Sequence, residues 1–261
     1  MPPKQKQKRD YLIEVFGHTL KQSNKFNDST TQKIDGRELL DNESSKVDST
    51  SGDSGGLTSI EIVNEDCIEI CIRQKLIQPE SDLLLLNMAS DKKPGGGVAK
   101  GSTAQEEHIC RCTTLYPNLY KRFYPLSDYE FIHSTNIRIL KDGTFSKTKS
   151  YPINVISMAS IRRPKLISGK LYTDSDYEKM FNKVRILLQF ALDNNYKILI
   201  LGAWGCGAFG NPPEIVAKIF YDQLNGEFKN KFSKVIFSIM ENKGSEYLNP
   251  IFKRQFERGT I

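Results

Sequence analysis

The apolar positions change rhythm along the chain. Between Asp10 and Ser23, Leu12, Val15, Phe16 and Leu20 fall on one face at helical spacing, which predicts one amphipathic helix. Asn27 to Leu57 loses that period and fills with Ser, Thr, Asp and Gly, ending in STSGDSGGL. It reads as loop or linker, partly disordered. From Thr58 onward short apolar runs alternate with helical patterns. Ser59 to Val63 reads as a strand, Glu65 to Lys75 as a helix, and Leu83 to Met88 as a strand buried on both faces. A helix begins at Thr103 and runs towards Tyr120, and Phe131 to Ile139 and Ile153 to Met158 read as strands. Asp174 to Asn194 is a long helix with Met180, Val184, Leu187, Leu188 and Ala191 on one side. Lys197 to Ala203 is a buried strand, Pro212 to Leu224 a helix and Val235 to Met240 a last strand. This alternation predicts the α/β class: a three-layer α/β/α domain with a mixed, mostly parallel sheet over residues 58–261. Residues 1–57 are then an N-terminal helical extension and flexible linker.

Composition narrows the class. With 261 residues, 38% hydrophobic and 26% charged, the chain can bury a core and should be soluble. The net charge of +6 suits an anionic ligand or a polyanion. The basic start, MPPKQKQKRD, has no apolar segment after it, so no secretory signal is expected, and no apolar run is long enough to span a bilayer. The five cysteines, Cys67, Cys71, Cys110, Cys112 and Cys206, read as reduced intracellular thiols, in the cytoplasm or nucleus. Their spacings are not those of zinc sites, so no metal is expected.

In α/β sheets, ligands bind beyond the carboxyl ends of the strands, and three loops sit there. GAWGCGAFGNPPE, Gly202 to Glu214, follows a strand and leads into a helix; Asn211 is a candidate N-cap, and Pro212 and Pro213 suit the first turn. Its glycines and the helix start form a candidate phosphate site. Gly205, Gly207 and Gly210 also match GxGxxG, with Glu241 ending the next strand, but Asn-Pro-Pro intervenes and only twenty residues follow Glu241. The second loop, NEDC, holds Asp66, either a helix cap or an acceptor for an adenine amino group. The third is KKPGGGVAKGSTAQEEH, residues 92–108. It lacks the lysine of a P-loop. Thr103 and Glu106 fit a capping box, which leaves Gln105 and Glu107 unexplained. Arg162 and Arg163 could meet phosphate, and Lys92, Lys93 and Lys100 would attract a polyanion. Trp204 reads as core. No Ser-His-Asp set can be assembled from His18, His108 and His133, and His108 is expected at the surface.

GGG, seven residues, then QEE resembles the signature of poly(ADP-ribose) glycohydrolases. With NMASDKKPGGG, STAQEEHICRCTTLYPNLY and LGAWGCGAFGNP, the chain is similar to the microbial type of that family, whose fold is a macrodomain, from about Ile60 to about Met240. The resemblance implies a glycosidase that hydrolyses the ribose–ribose O-glycosidic bonds of poly(ADP-ribose) and releases ADP-ribose, without a cofactor. Its partners would be ADP-ribose, the polymer and ADP-ribosylated proteins, with no membrane or specific nucleic acid, and the protein would be a monomer. By the same resemblance Glu107 is the catalytic acid and Glu106 holds ribose hydroxyls beside Gln105. Gly95, Gly96, Gly97 and Val98 wrap the distal ribose. Gly205, Cys206, Gly207, Ala208, Phe209, Gly210 and Asn211 match the diphosphate loop, with Phe209 on the distal ribose. Asp66 receives adenine. Asn87 matches the first Asn of the macrodomain N-A-A-N, whose second Asn is Ser90 here.

Cleavage of a ribosyl bond needs a proton for the leaving oxygen and an activated water. Adjacent residues on a helix point about 100° apart, so Glu106 and Glu107 are not expected to flank one bond. Glu107 alone is expected to do both jobs, with burial and a nearby diphosphate raising its pKa. The competing readings are a non-catalytic ADP-ribose-binding macrodomain, a mono-ADP-ribosyl hydrolase and a nicotinamide-dependent oxidoreductase built on GxGxxG.

Overall fold

The structure is a computed structural model that describes residues 3–41, 56–241 and 243–258. In chain order it contains α1 (Pro3–Ser23), β1 (Thr30–Asp35), α2 (Glu38–Asp41), β2 (Ser59–Val63), α3 (Cys67–Ile77) and β3 (Leu83–Met88). Next come α4 (Gln105–Cys112), α5 (Leu115–Asn118), β4 (Glu130–Lys141) and β5 (Lys147–Met158). A hairpin of β6 (Leu166–Ile167) and β7 (Leu171–Tyr172) precedes α6 (Asp174–Asp193), β8 (Ile198–Leu201), α7 (Pro213–Asn225), β9 (Lys234–Ser238) and α8 (Leu248–Arg258). Seven strands form one mixed sheet of order β1-β4-β5-β3-β8-β9-β2, so the α/β reading stands. The residues gather into two compact units, with β3 passing from one into the other after Leu84.

The first unit holds the chain up to Ile34, Cys67–Glu80 and Leu85–Ala159. Its centre is the antiparallel pair β4–β5, paired from Phe131↔Met158 to Lys141↔Lys147 with register shifts after Ser134 and after Ile139. Ion pairs Lys33–Glu130 and Arg138–Asp28 fasten the chain around β1 to β4. Helix α1 lays Leu12, Val15 and Phe16 inward, as its period predicts, and Phe16 meets Tyr116 edge-on at 4.8 Å. Leu20 is only half-buried, and the deeper place belongs to the preceding residue, Thr19. Polar groups anchor this face: Lys141 Nζ donates to Val15 O (2.9 Å) and Thr19 Oγ1 (2.8 Å), and Thr19 Oγ1 donates to Arg111 O.

The second unit holds Asp35–Asp66, Ser81–Leu84 and Ser160–Ile261. Strands β2, β9 and β8 run parallel, with Val235 paired to both Ile60 and Leu199. Helix α6 is capped by Thr173, whose side chain accepts from Asp176 N, and it buries Met180, Val184, Leu187, Leu188 and Ala191 as its pattern predicts. Helix α8 carries Phe252 and Phe256 against Phe237, with ring centroids 5.5 and 5.2 Å away.

Two expectations need correction. Residues 30–35 and 38–41, read as linker, form β1 and α2; the rest of that segment, 42–55, lies outside the described residues. The helix beginning at Thr103 starts at Gln105 and stops at Cys112, because Thr113 turns extended and bridges Ile139; α5 then starts afresh. No helix among the described residues is long and apolar enough to cross a membrane.

Candidate active site

In the first unit, three side chains of α4's first turn tie down three stretches of backbone. Gln105 pairs with the end of β3, its Oε1 accepting from Met88 N (2.8 Å) and its Nε2 donating to Leu86 O (2.7 Å). Glu106 Oε2 accepts from Ser90 N (2.8 Å), just beyond that strand. Glu107 Oε1 accepts from Gly97 N (2.7 Å), the last of the three glycines. The helix is thus stapled to the carboxyl end of β3 and to the glycine loop. Gly96 is left-handed (φ +53°), and a Cβ there would stand 2.6 Å from Glu107 Oε1 and 2.9 Å from Glu106 Oε2. The two carboxyls leave the helix in different directions and come back together over this one residue, which must be glycine to pass beneath them.

Each carboxyl has one bonded oxygen and one that is out of solvent and without a partner: Glu106 Oε1 and Glu107 Oε2. Asn87 Oδ1 and the Tyr124 hydroxyl are in the same condition. Asn87 lies in β3 and spends its amide on Ser157 Oγ (3.0 Å). These four are among seven buried polar atoms left unsatisfied in the unit's described residues, and each is costly unless a ligand completes it. Burial pushes the Glu106 carboxyl up to about 8; the Glu107 charge adds to the rise, while the Ser90 amide and the Asn87 side chain oppose it. Burial pushes the Tyr124 hydroxyl well above its usual pKa, and the charge of Glu106 adds to the rise. Arg111, 1% exposed, donates to Leu12 O (3.1 Å), Val98 O (3.4 Å) and Ser102 O (2.6 Å), so α4 also holds α1 and the turn after the glycines. Burial lowers its pKa and the Glu107 charge raises it. Val98 is buried behind the loop, at the head of a 3-10 turn (Val98–Lys100).

The second unit carries the other loop. After β8, Trp204 is fully buried. Gly205 is left-handed (φ +77°), and a Cβ there would collide with Ser160 and Asn211. Asn211 braces the loop from inside: its Nδ2 donates to Ile161 O (2.7 Å) and Gly205 O (3.1 Å), and its Oδ1 accepts from Tyr172 OH (2.6 Å). Gly207, Ala208 and Gly210 are exposed and Cys206 is buried. The amides of Gly207, Ala208 and Phe209, three in succession ahead of α7, donate to no group among the described residues. The Arg162 guanidinium lies over the Phe209 ring at 4.1 Å, and Phe209 O accepts from Arg163 N (2.7 Å). Asp66, half-buried, lies in the loop after β2, directly before Cys67 at the start of α3.

Several sequence readings change here. The Thr103–Glu106 capping box does not form: α4 is capped at Ala104 without a side-chain bond, because Glu106 falls in the first turn and Ser90 N takes its carboxylate. Asn211 is not the cap of α7, which starts one residue later behind Pro212, its side chain being committed to the loop. Burial lifts the Glu106 carboxyl, which the sequence reading assigns only to holding ribose hydroxyls. His108 is half-buried against Phe145, ring centroids 5.2 Å apart. Tyr124 and Arg111 carried no signal of their own in the sequence.

The catalytic-domain pattern of microbial-type PARG matches residues 11–142, just over half of the chain. No curated protein sequence matches significantly. Among solved structures, poly(ADP-ribose) glycohydrolase from Thermomonospora curvata is 23% identical, with a TM-score of 0.76 over 93% of this chain and 89% of that one. The same enzyme bound to the inhibitor ADP-HPD gives 23% and 0.72 over 93% and 88%. The Deinococcus radiodurans enzyme in complex with ADP-ribose gives 24% and 0.72 over 94% and 98%. The fold is therefore that of these enzymes, and the matched segment contains both the glycine loop and Gln105–Glu107: the chain belongs to the microbial-type poly(ADP-ribose) glycohydrolase family.

Proposed function

We propose that this chain hydrolyses the ribose–ribose O-glycosidic bonds of poly(ADP-ribose) and releases ADP-ribose, with residues 58–261 carrying the catalytic groups. One observation carries the reading: two adjacent carboxyls, each pinned through one oxygen to backbone and each keeping a second oxygen buried and unsatisfied. A ribose offers hydroxyls to complete them. Glu106, protonated up to about pH 8, can both donate to and accept from a ribose hydroxyl through Oε1. Asn87 Oδ1 and the Tyr124 hydroxyl add an acceptor and a donor. In our reading Glu107 takes up a proton as the substrate binds and delivers it from Oε2 to the leaving ribose oxygen, while Glu106 keeps its own. As carboxylate, Glu107 then takes a proton from the attacking water on the same face. Its negative charge faces the oxocarbenium-like centre in between.

Gly95, Gly96, Gly97 and Val98 have a matching role, letting backbone run under the distal ribose. Gln105 acts at one remove, holding α4 against β3. For the loop of the second unit the free amides of Gly207, Ala208 and Phe209 suit the diphosphate, with Gly205, Cys206, Gly210 and Asn211 shaping it. Asp66 is proposed as acceptor for the adenine amino group. The five cysteines are buried, which suits a reducing, intracellular setting. A non-catalytic reader would have no use for a buried acid pair.

The test is incubation of the purified protein with poly(ADP-ribose), reading product sizes. Monomeric ADP-ribose is expected to accumulate. An unshortened polymer would overturn the proposal, and release from singly modified protein alone would move the activity to mono-ADP-ribosyl groups.

A further inference from the structure

A second basic feature lies beside the acid pair, in the same unit. A cleft of about 540 Å³ opens between α1 and the turn that follows the glycines. Lys8, Arg9 and Leu12 stand on one face of α1, at spacings that share a side of a helix, and Lys100, Ser102 and Thr103 form the facing wall. Three of the lining side chains are cations, two carry hydroxyls, and none is a carboxylate. The walls are pinned together. Arg111 donates to Leu12 O on one side and to Ser102 O on the other. Gly101 is left-handed, and a Cβ there would stand 2.6 Å from Arg9 Cγ and 2.9 Å from Arg9 O, so helix and turn meet at the floor.

The cleft adjoins the acid pair through one residue. Ser102 N donates to Gly97 O (3.2 Å), and Gly97 N holds Glu107 Oε1. Ser102, bonded in this way to Gly97, lines the cleft together with the three cations. A single ADP-ribose unit has one diphosphate; a polymer repeats it with every unit.

We infer that the cleft lined by Lys8, Arg9 and Lys100 is a subsite for the diphosphate of the ADP-ribose unit next along the polymer from the bond being cut. The inference rests on the glycohydrolase reading and extends it: the subsite distinguishes a polymer from free ADP-ribose. Its ligand is a polyanion, so occupancy depends on salt, through release of counterions as for other phosphate chains.

All three cations are exposed, so Lys8→Gln, Arg9→Gln and Lys100→Gln together leave the core untouched. In a Glu107→Gln background the polymer survives, and the affinity for long poly(ADP-ribose) and for free ADP-ribose is measured from low to high salt. The triple variant is expected to lose about tenfold or more in polymer affinity at low salt, with a log–log salt slope shallower by about one for each cation in contact. Free ADP-ribose should bind within about twofold as before. Unchanged polymer affinity and slope would overturn the subsite, as would an equal loss for free ADP-ribose. Equal competition by a single-stranded oligonucleotide of the same charge would reassign the cleft to nucleic acid. Failure of the wild type to release ADP-ribose is a separate result, which strikes the glycohydrolase reading and leaves the affinity comparison to judge the cleft.

Discussion

Glu106 ties the stability of the fold to pH in a way that can be isolated. Its carboxyl is raised from 4.5 to about 8, first by burial and then by the Glu107 charge. The folded chain therefore keeps a proton that the unfolded chain releases. Stability from this group is fully present below pH 4.5 and falls as pH rises, until the folded carboxyl itself ionises near pH 8. At about 1.4 kcal/mol for each pH unit in that window, the loss approaches roughly 5 kcal/mol, a large part of a typical domain's stability. Glu106→Gln removes the titration and keeps an oxygen for the Ser90 amide. The variant and the wild type should be similarly stable at pH 5. At pH 8.5 the variant should be more stable by several kcal/mol, while its activity falls. Urea unfolding at half-unit pH steps gives both curves. Parallel curves from pH 5 to 8.5 would refute the claim that Glu106 is buried, protonated and charge-coupled to its neighbour.

Other perturbations act on single contacts. Gly96→Ala puts a methyl group 2.6 Å from Glu107 Oε1 at a left-handed position, so turnover should fall about a hundredfold for about 1–2 kcal/mol of stability, by kinetics and thermal unfolding. Arg111→Leu strands the carbonyls of Leu12, Val98 and Ser102 and should cost about 3 kcal/mol in chemical denaturation, loosening α1 from the turn at 98–102 in hydrogen exchange. Tyr124→Phe removes a buried hydroxyl that bonds nothing, so stability should hold within about 1 kcal/mol or rise while ADP-ribose binds more weakly in calorimetry.

What the sequence made legible was local chemistry. Leu83–Met88 is apolar but for Asn87, and β3 has those bounds. GGG and QEE stood out because three flexible residues and two adjacent acids have no common structural purpose. What failed was competition at a distance. Thr103-x-x-Glu106 is a sound capping pattern, but Ser90, thirteen residues upstream of Thr103, offers its amide at the end of β3 and takes the carboxylate. Asn211 is a good cap residue whose amide is taken by Ile161 and Gly205. Strand β1 hid in a polar segment because TTQKID has little apolar character and gains its place by pairing at the sheet edge. Helix α8 hid because Leu248, Phe252 and Phe256 form a one-residue-wide stripe among charges. Arg111 carried no signal in the sequence because only the fold encloses it with three carbonyls.

The central claim is that Glu107 moves the proton. The most direct measurement compares Glu107→Gln and Glu106→Gln with the wild type in ADP-ribose release from poly(ADP-ribose), with ADP-ribose affinity recorded on each protein. The account predicts a loss of about 10²–10⁴-fold for Glu107→Gln with binding retained, and a smaller loss for Glu106→Gln. Release by Glu107→Gln at the wild-type rate would contradict it.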